Sequence, residues 1–139
     1  MVVLFDQSKT LVEEFTLIPN TQKCLLFSDP SGLKKIQPFI ESLDAQGVSY
    51  EFYYLTKEVQ KIAEIELLES LPKGTRVLYE FSDECILRIA GKQKLGTQLY
   101  LAGSWKALES LYPLAVHSGF GQEDVQVYWE KRERVESGV

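Results

Sequence analysis

Histidine is almost absent from this chain, cysteine is scarce, and no apolar run approaches the length of a membrane span. One histidine, His117, and two cysteines, Cys24 and Cys85, occur among 139 residues. The cysteines stand far apart and form no CxxC, so with a single histidine they assemble no zinc site. Cys24 lies in an apolar run and reads as a buried small hydrophobe rather than a nucleophile. No Ser/His/Asp order, paired carboxylates or metal-ligand spacing points to chemistry elsewhere. The first residues, Met-Val-Val-Leu-Phe-Asp, lack the basic region and apolar core of a signal peptide. No apolar stretch reaches the roughly 20 residues of a spanning helix. Positive charge is short as well: 15 Lys and Arg against 20 Asp and Glu leave a net charge of −5. Phosphate-backbone binding requires clustered cations, so nucleic acid is excluded as a partner. The expectation is a protein of the reducing cytoplasm, with neither membrane nor metal.

What is present is an ordinary globular composition, 45% apolar and 25% charged. Its length suits one domain with a proper core. The organising stretch runs from Lys23 to Leu43. Cys24 to Phe27 is a short apolar run of the kind that forms a strand buried on both faces. Ser28-Asp29-Pro30-Ser31-Gly32 turns the chain. Leu33, Ile36, Phe39, Ile40 and Leu43 then recur at helical spacing. Asp29 and Pro30 fit an N-cap followed by proline at the first helical position. Pro38 would cost a running helix a backbone bond, so a longer turn with the helix starting nearer Gly32 is preferred. Gly47 suits the C-cap.

The pattern then repeats. Val48 to Leu55 reads as an aromatic-rich strand, mostly core. Thr56 to Leu71 reads as an amphipathic helix, and Arg76 to Phe81 as a third strand. Cys85 to Ala90 is a short helix or an extended piece. Thr97 to Ala102 is a fourth strand running into Gly103-Ser104. Trp105, Leu108, Leu111, Tyr112 and Ala115 give the next helical stripe, interrupted by Pro113, and Val125 to Trp129 is the last strand. Residues 1–22 form an arm whose segment Leu11 to Ile18 is either strand or extended chain. Residues 23–131 form the α/β domain and 132–139 a charged tail. The expected fold is an α/β three-layer sandwich with a five-stranded, mainly parallel sheet.

In such sheets ligands bind outside the carboxyl ends of the strands. Two turns lie there, Ser28 to Gly32 and Gly103 to Trp105. Free N–H groups at a helix N-terminus suit phosphate, but serine, aspartate and glycine also simply cap helices. The first turn is no GxGxxG, and Asp29 places a negative charge where pyrophosphate would sit. Lys57 could meet a ribose phosphate or be solvated surface; His117 could be a dipole-favoured cap or a base.

The residues Leu25-Leu26-Phe27-Ser28-Asp29-Pro30-Ser31-Gly32-Leu33 resemble the Leu-Leu-x-x-Asp-x-Thr-Ala-Leu of the siderophore-interacting branch of ferredoxin–NADP reductase-like proteins, which are flavin-dependent ferric-siderophore reductases. Leu99-Tyr100-Leu101-Ala102-Gly103-Ser104 and the closing Val127-Tyr128-Trp129 resemble that branch too. The resemblance implies a ferredoxin reductase NADP-domain-like fold. It implies NAD(P)H lying across Ser28, Asp29, Ser31 and Gly32 on one side and Gly103, Ser104 and Trp105 on the other. The family's flavin-binding barrel takes roughly a hundred residues, more than an arm of 22 could build. The expectation is therefore a chain that binds no flavin or metal by itself and is not a complete reductase alone. It would be the nicotinamide-nucleotide half of an oxidoreductase, working with a flavin-bearing partner or as a homo-oligomer. The alternatives are a non-catalytic accessory subunit with a degenerate pocket and a flavodoxin-like FMN binder. Tyr128 and Trp129 would be either a docking patch for a partner or ordinary core.

Overall fold

The computed structural model describes residues 11–56, 69–79 and 82–130. Strand β1, Lys23–Ser28, is followed by a 3-10 turn, Pro30–Gly32, and helix α1, Leu33–Gln46. Then come β2 (Tyr50–Leu55), β3 (Arg76–Leu78), α2 (Asp83–Gly91), β4 (Thr97–Gly103), α3 (Trp105–His117) and β5 (Val125–Trp129). The five strands form one sheet in the order β3-β2-β1-β4-β5. Every pairing is parallel. The expected α/β sheet is thus present, and wholly rather than mainly parallel. Its order reverses between β1 and β4, which are adjacent, central and buried along almost their whole length.

Strand alternation divides the core in two. Leu25, Phe27, Leu99 and Leu101 face one side, where they pack with Ile86 and Ile89 of α2 and Leu108, Leu111 and Tyr112 of α3. Cys24, Leu26, Tyr100 and Ala102 face the other, against Leu33, Ile36, Ile40 and Leu43 of α1. Each of those aliphatic α1 side chains is essentially sealed from water, contributing about 1.5–3 kcal/mol of burial. Burial of Cys24 pushes its thiol up to about 11, against a side-chain hydrogen bond with Tyr100 that lowers it. That suits the reading of Cys24 as core.

The longer turn expected after β1 is present as Pro30–Gly32, with α1 starting at Leu33 and Gly47 at its C-cap as expected, while some other boundaries differ. Pro38 and Pro113 lie inside helices that continue past them, because each helix buries an apolar face that outweighs one missing backbone bond. Gly47 closes α1 with φ +70°, a left-handed conformation that glycine adopts without strain. β2 starts at Tyr50 and β3 ends at Leu78. Cys85 to Ala90 resolves as helix, capped by the Ser82 hydroxyl accepting from Cys85 N–H. The helix expected from Thr56 to Leu71 and the charged tail lie largely outside the described residues, as do Lys57 and the start of the arm.

From Leu11 the arm is extended chain laid along β5. Val12 N–H donates to the Val127 carbonyl at 2.9 Å. Gln126, buried, clasps Thr16 by both backbone groups, at 2.9 and 2.8 Å, and the Tyr100 hydroxyl donates to the Thr16 carbonyl at 2.9 Å. Phe15 inserts among Phe39, Tyr100 and Tyr128 with ring centroids 5.5–6.3 Å away. The arm thus covers the β4–β5 side of the α1 face.

A polar network ties β1 to β2 near their start. Lys23 Nζ pairs with Glu51 Oε2 at 2.6 Å, and Tyr53 and Gln93 both donate to Glu51 Oε1. Burial alone would raise the Glu51 carboxyl, but these donors outweigh it and hold it below its usual value of 4.5. A depressed carboxylate stabilises the fold above its unfolded pKa and loses that contribution as pH falls through the folded value. Lys23→Met should therefore cost stability at neutral pH and progressively less below about pH 4.5. Urea midpoints of the two proteins across pH 3–7, on the order of one point per unit, measure this; a gap that does not shrink in acid would contradict it.

Candidate functional site

The two turns expected to form a site do meet. β1 and β4 are in register from Lys23 with Thr97 to Ser28 with Ala102, so the residues that follow each strand emerge side by side. Asp29 binds both turns together. Its Oδ1 accepts from Ser31 N–H at 3.0 Å, Ser31 Oγ at 2.8 Å and Gly32 N–H at 3.1 Å. Its Oδ2 accepts from Ser104 N–H at 3.2 Å and Ser104 Oγ at 2.9 Å. Five donors thus converge on one carboxylate. The Ser104 hydroxyl also accepts from Ala107 N–H at 3.3 Å and so caps α3. Asp29 stands at the N-terminal ends of two helical segments, where negative charge is favoured.

Glycine allows the turns this closeness. A Cβ on Gly32 would lie 2.4 Å from the Ala102 carbonyl carbon, and one on Gly103 would lie 2.5 Å from Asp29 Oδ1. Both positions leave no room for a side chain. Where the reductase branch carries alanine, this chain carries Gly32, and its first turn lies directly on the β4 backbone. The crevice between the turns is filled by the chain's own carboxylate.

Beside that filled crevice opens a cleft of about 400 Å³, within the usual range for small-molecule sites. It lies on the α2–α3 side, floored by Leu55 and Thr56 at the end of β2 and walled by Lys106, Ala107, Ser110 and Leu111 of α3. Asp29, Pro30, Asp83 and Ser104 complete it. Among the described residues its charged groups are two carboxylates, Asp29 and Asp83, and one ammonium, Lys106. Hydroxyls come from Thr56, Ser104 and Ser110.

The seven residues singled out in the sequence are therefore brought together unequally. Asp29 and Ser104 line the cleft. Ser31, Gly32 and Gly103 serve the link between the turns. Ser28 is fully buried and its hydroxyl donates to the Asp29 carbonyl at 2.8 Å, away from the cleft. Trp105 packs its ring on Trp129, with centroids 4.9 Å apart. Tyr128 is half-buried against Phe15, beneath Lys35 Nζ at 4.8 Å from its ring centroid. His117 is exposed at the end of α3, remote from the cleft lining. Sequence reasoning missed Thr56, Asp83, Lys106 and Ser110. Thr56 directly follows β2 and Asp83 is the first residue of α2; the last two look like any exposed helix position, so only their spacing of four, which puts them on one helix face, could have marked them. Among the described residues no group of three or more His, Cys, Asp or Glu could hold a metal ion. No helix there is long and apolar enough to cross a membrane.

No family model matches the chain, and no curated protein matches it. Solved structures do. An intact type IV self-sufficient cytochrome P450 monooxygenase aligns with a TM-score of 0.68 and 18% identity, over 84% of this chain and 15% of that one. A flavohemoglobin from Malassezia yamatoensis, with bound FAD and heme, aligns with a TM-score of 0.55 and 18% identity, over 84% of this chain and 33% of that one. The chain thus spans a minor part of each. At such identity the likeness is one of fold: the five-stranded α/β sandwich of the ferredoxin reductase NADP-domain type. The siderophore-interacting branch is not distinguished by it.

Ser104 is the residue shared by the turn link and the α3 cap. Ser104→Ala removes one hydrogen bond to Asp29 and the acceptor for Ala107 N–H, and should cost about 0.5–2 kcal/mol. Thermal or urea unfolding of the variant measures the loss; an unchanged midpoint would mean that the link contributes nothing to stability.

Proposed function

We propose that the chain is a nicotinamide-nucleotide-binding domain that serves electron transfer to a flavin or iron-chelate reductase partner. The observation that carries this reading is the cleft beside Asp29 and Ser104, set at the carboxyl ends of parallel strands where the strand order reverses, the position at which such sheets bind dinucleotides. The redox proteins whose structures match this fold support the same direction. So does the resemblance of the Leu25–Leu33 and Leu99–Ser104 segments to the siderophore-interacting reductases.

The residues present fit a nucleotide. Lys106 supplies a cation for a phosphate, and Thr56 and Ser110 supply hydroxyls of the kind that hold ribose. Leu55, Ala107 and Leu111 offer an apolar wall for a ring. When bound, the nicotinamide would supply a hydride to an acceptor outside this chain. The part played by this chain is to orient the nucleotide and to shield one side of it from water. Hydride transfer needs donor and acceptor within roughly 3–3.5 Å, so the acceptor must be presented by the partner at the open side of the cleft.

A second reading is carried by Asp29. Its carboxylate takes up the donors that a pyrophosphate would use, as expected of an accessory subunit that keeps the fold with a degenerate pocket. Calorimetric titration with NADH and NADPH separates the two. Saturable one-to-one binding, with quenching of the Trp105–Trp129 fluorescence, is the expected result; no heat and no quenching with either nucleotide would leave the accessory reading.

The same proposal predicts that the purified chain is colourless and inactive alone. Its visible spectrum should show no flavin band, and ferric-chelate reduction with NADPH should appear only when a flavin-bearing partner is added. Steady turnover by the chain alone would overturn this.

A further inference from the structure

We infer that Asp29 sets the polarity of the cleft, denying the crevice between the β1 and β4 turns to phosphate and assigning the phosphates of a nucleotide to Lys106. The inference rests on the reading of the cleft as a nucleotide site and names which end of it takes which part of the ligand.

Two independent features support it. The first is occupancy. Five donors from the two turns already point at the Asp29 carboxylate. A phosphate there would meet a like charge that already engages those five donors. Nor can the crevice widen cheaply, since Gly32 sits against the Ala102 and Gly103 backbone. The second is the charge of the cleft. Asp29 and Asp83 make two of its edges negative, and Lys106, exposed on the first turn of α3, is the one cation among its described lining residues. Lys106 belongs to neither of the ion pairs of the described residues. A nucleotide entering this cleft therefore meets repulsion at its Asp29 end and attraction at Lys106. Its phosphates lie along α3, and the uncharged ring or ribose lies toward Asp29.

The test uses the full chain and two ligands, inorganic pyrophosphate and NADPH, titrated calorimetrically into the wild type, Asp29→Asn, Asp29→Ser and Asp29→Asn with Lys106→Gln, and into Lys106→Gln alone. Asparagine keeps the shape of the aspartate without its charge. Serine keeps an N-cap oxygen for the first turn, so one variant remains informative should the other unfold. Circular dichroism and a thermal melt establish folding.

Pyrophosphate affinity should rise at least about tenfold when Asp29 is neutralised, the least that removal of a like-charge contact should give. Lys106→Gln should weaken NADPH about tenfold in the wild type and less in Asp29→Asn, where the crevice offers phosphate a second place. Pyrophosphate affinity unchanged or lowered in both Asp29 variants would overturn the inference, and if the wild type binds NADPH the nucleotide reading would survive it. If the wild type binds no NADPH while the variants gain pyrophosphate, the exclusion of phosphate by Asp29 stands, and the assignment to Lys106 falls with the nucleotide reading. If none of the proteins binds either ligand, the inference is overturned.

Discussion

One carboxylate joins the two halves of this fold. Asp29 takes three donors from its own turn and two from the turn after β4, 75 positions along the chain. Charge-assisted hydrogen bonds of this sort are roughly twice as strong as neutral ones. Here they also satisfy backbone N–H groups that helix N-termini leave unpaired. Without the charge, the 3-10 turn before α1 and the residue that caps α3 would need other acceptors, and the strand ends of β1 and β4 would lose their tie beyond the ladder. The position that parallel α/β sheets offer to ligands is thus partly used for structure.

That occupancy shapes the rest of the site. The accessible space flanks the strand-order reversal on its α2–α3 side, where the end of β2 and the first two turns of α3 form its walls. The opposite, α1 side is closed at β4 and β5 by the arm, with Phe15 seated among Phe39, Tyr100 and Tyr128. The two faces of the sheet are therefore unequal: one is sealed by extended chain, and the other carries the cleft. The Trp105–Trp129 pair stands at the carboxyl edge, joining the start of α3 to the end of β5.

The fold was legible because its strands are short apolar runs bounded by turn residues, and because β1, β4 and β5 carry that signal without ambiguity. Asp29, Ser104 and the two glycines were legible as turn chemistry. What the turn residues did with one another was not, since a hydrogen bond between Asp29 and Ser104 leaves no local pattern in either segment. The arm read as strand or extended chain, but where it docks was not legible, for the same reason. Its partners, Gln126 and Tyr100, lie 110 and 84 positions away from Thr16. The start of α1 just after Gly32 was legible from the turn residues, and burial of Leu33, Ile36, Ile40 and Leu43 carries the helix through Pro38 despite one lost backbone bond. Lys106 and Ser110 carried no sequence signal because an exposed helix position looks alike whether or not a cleft adjoins it.

The division of labour between the two oxygens of Asp29 has a consequence in time. Oδ1 serves neighbours two and three residues away, so it can cap the first turn as soon as that segment turns helical. Oδ2 has no work until a strand from far along the chain has docked beside β1. Local contacts form early in folding, and contacts across long loops form late. The same side chain therefore acts first as a nucleating cap and afterwards as a latch, and its second engagement marks the completion of the central strand pair.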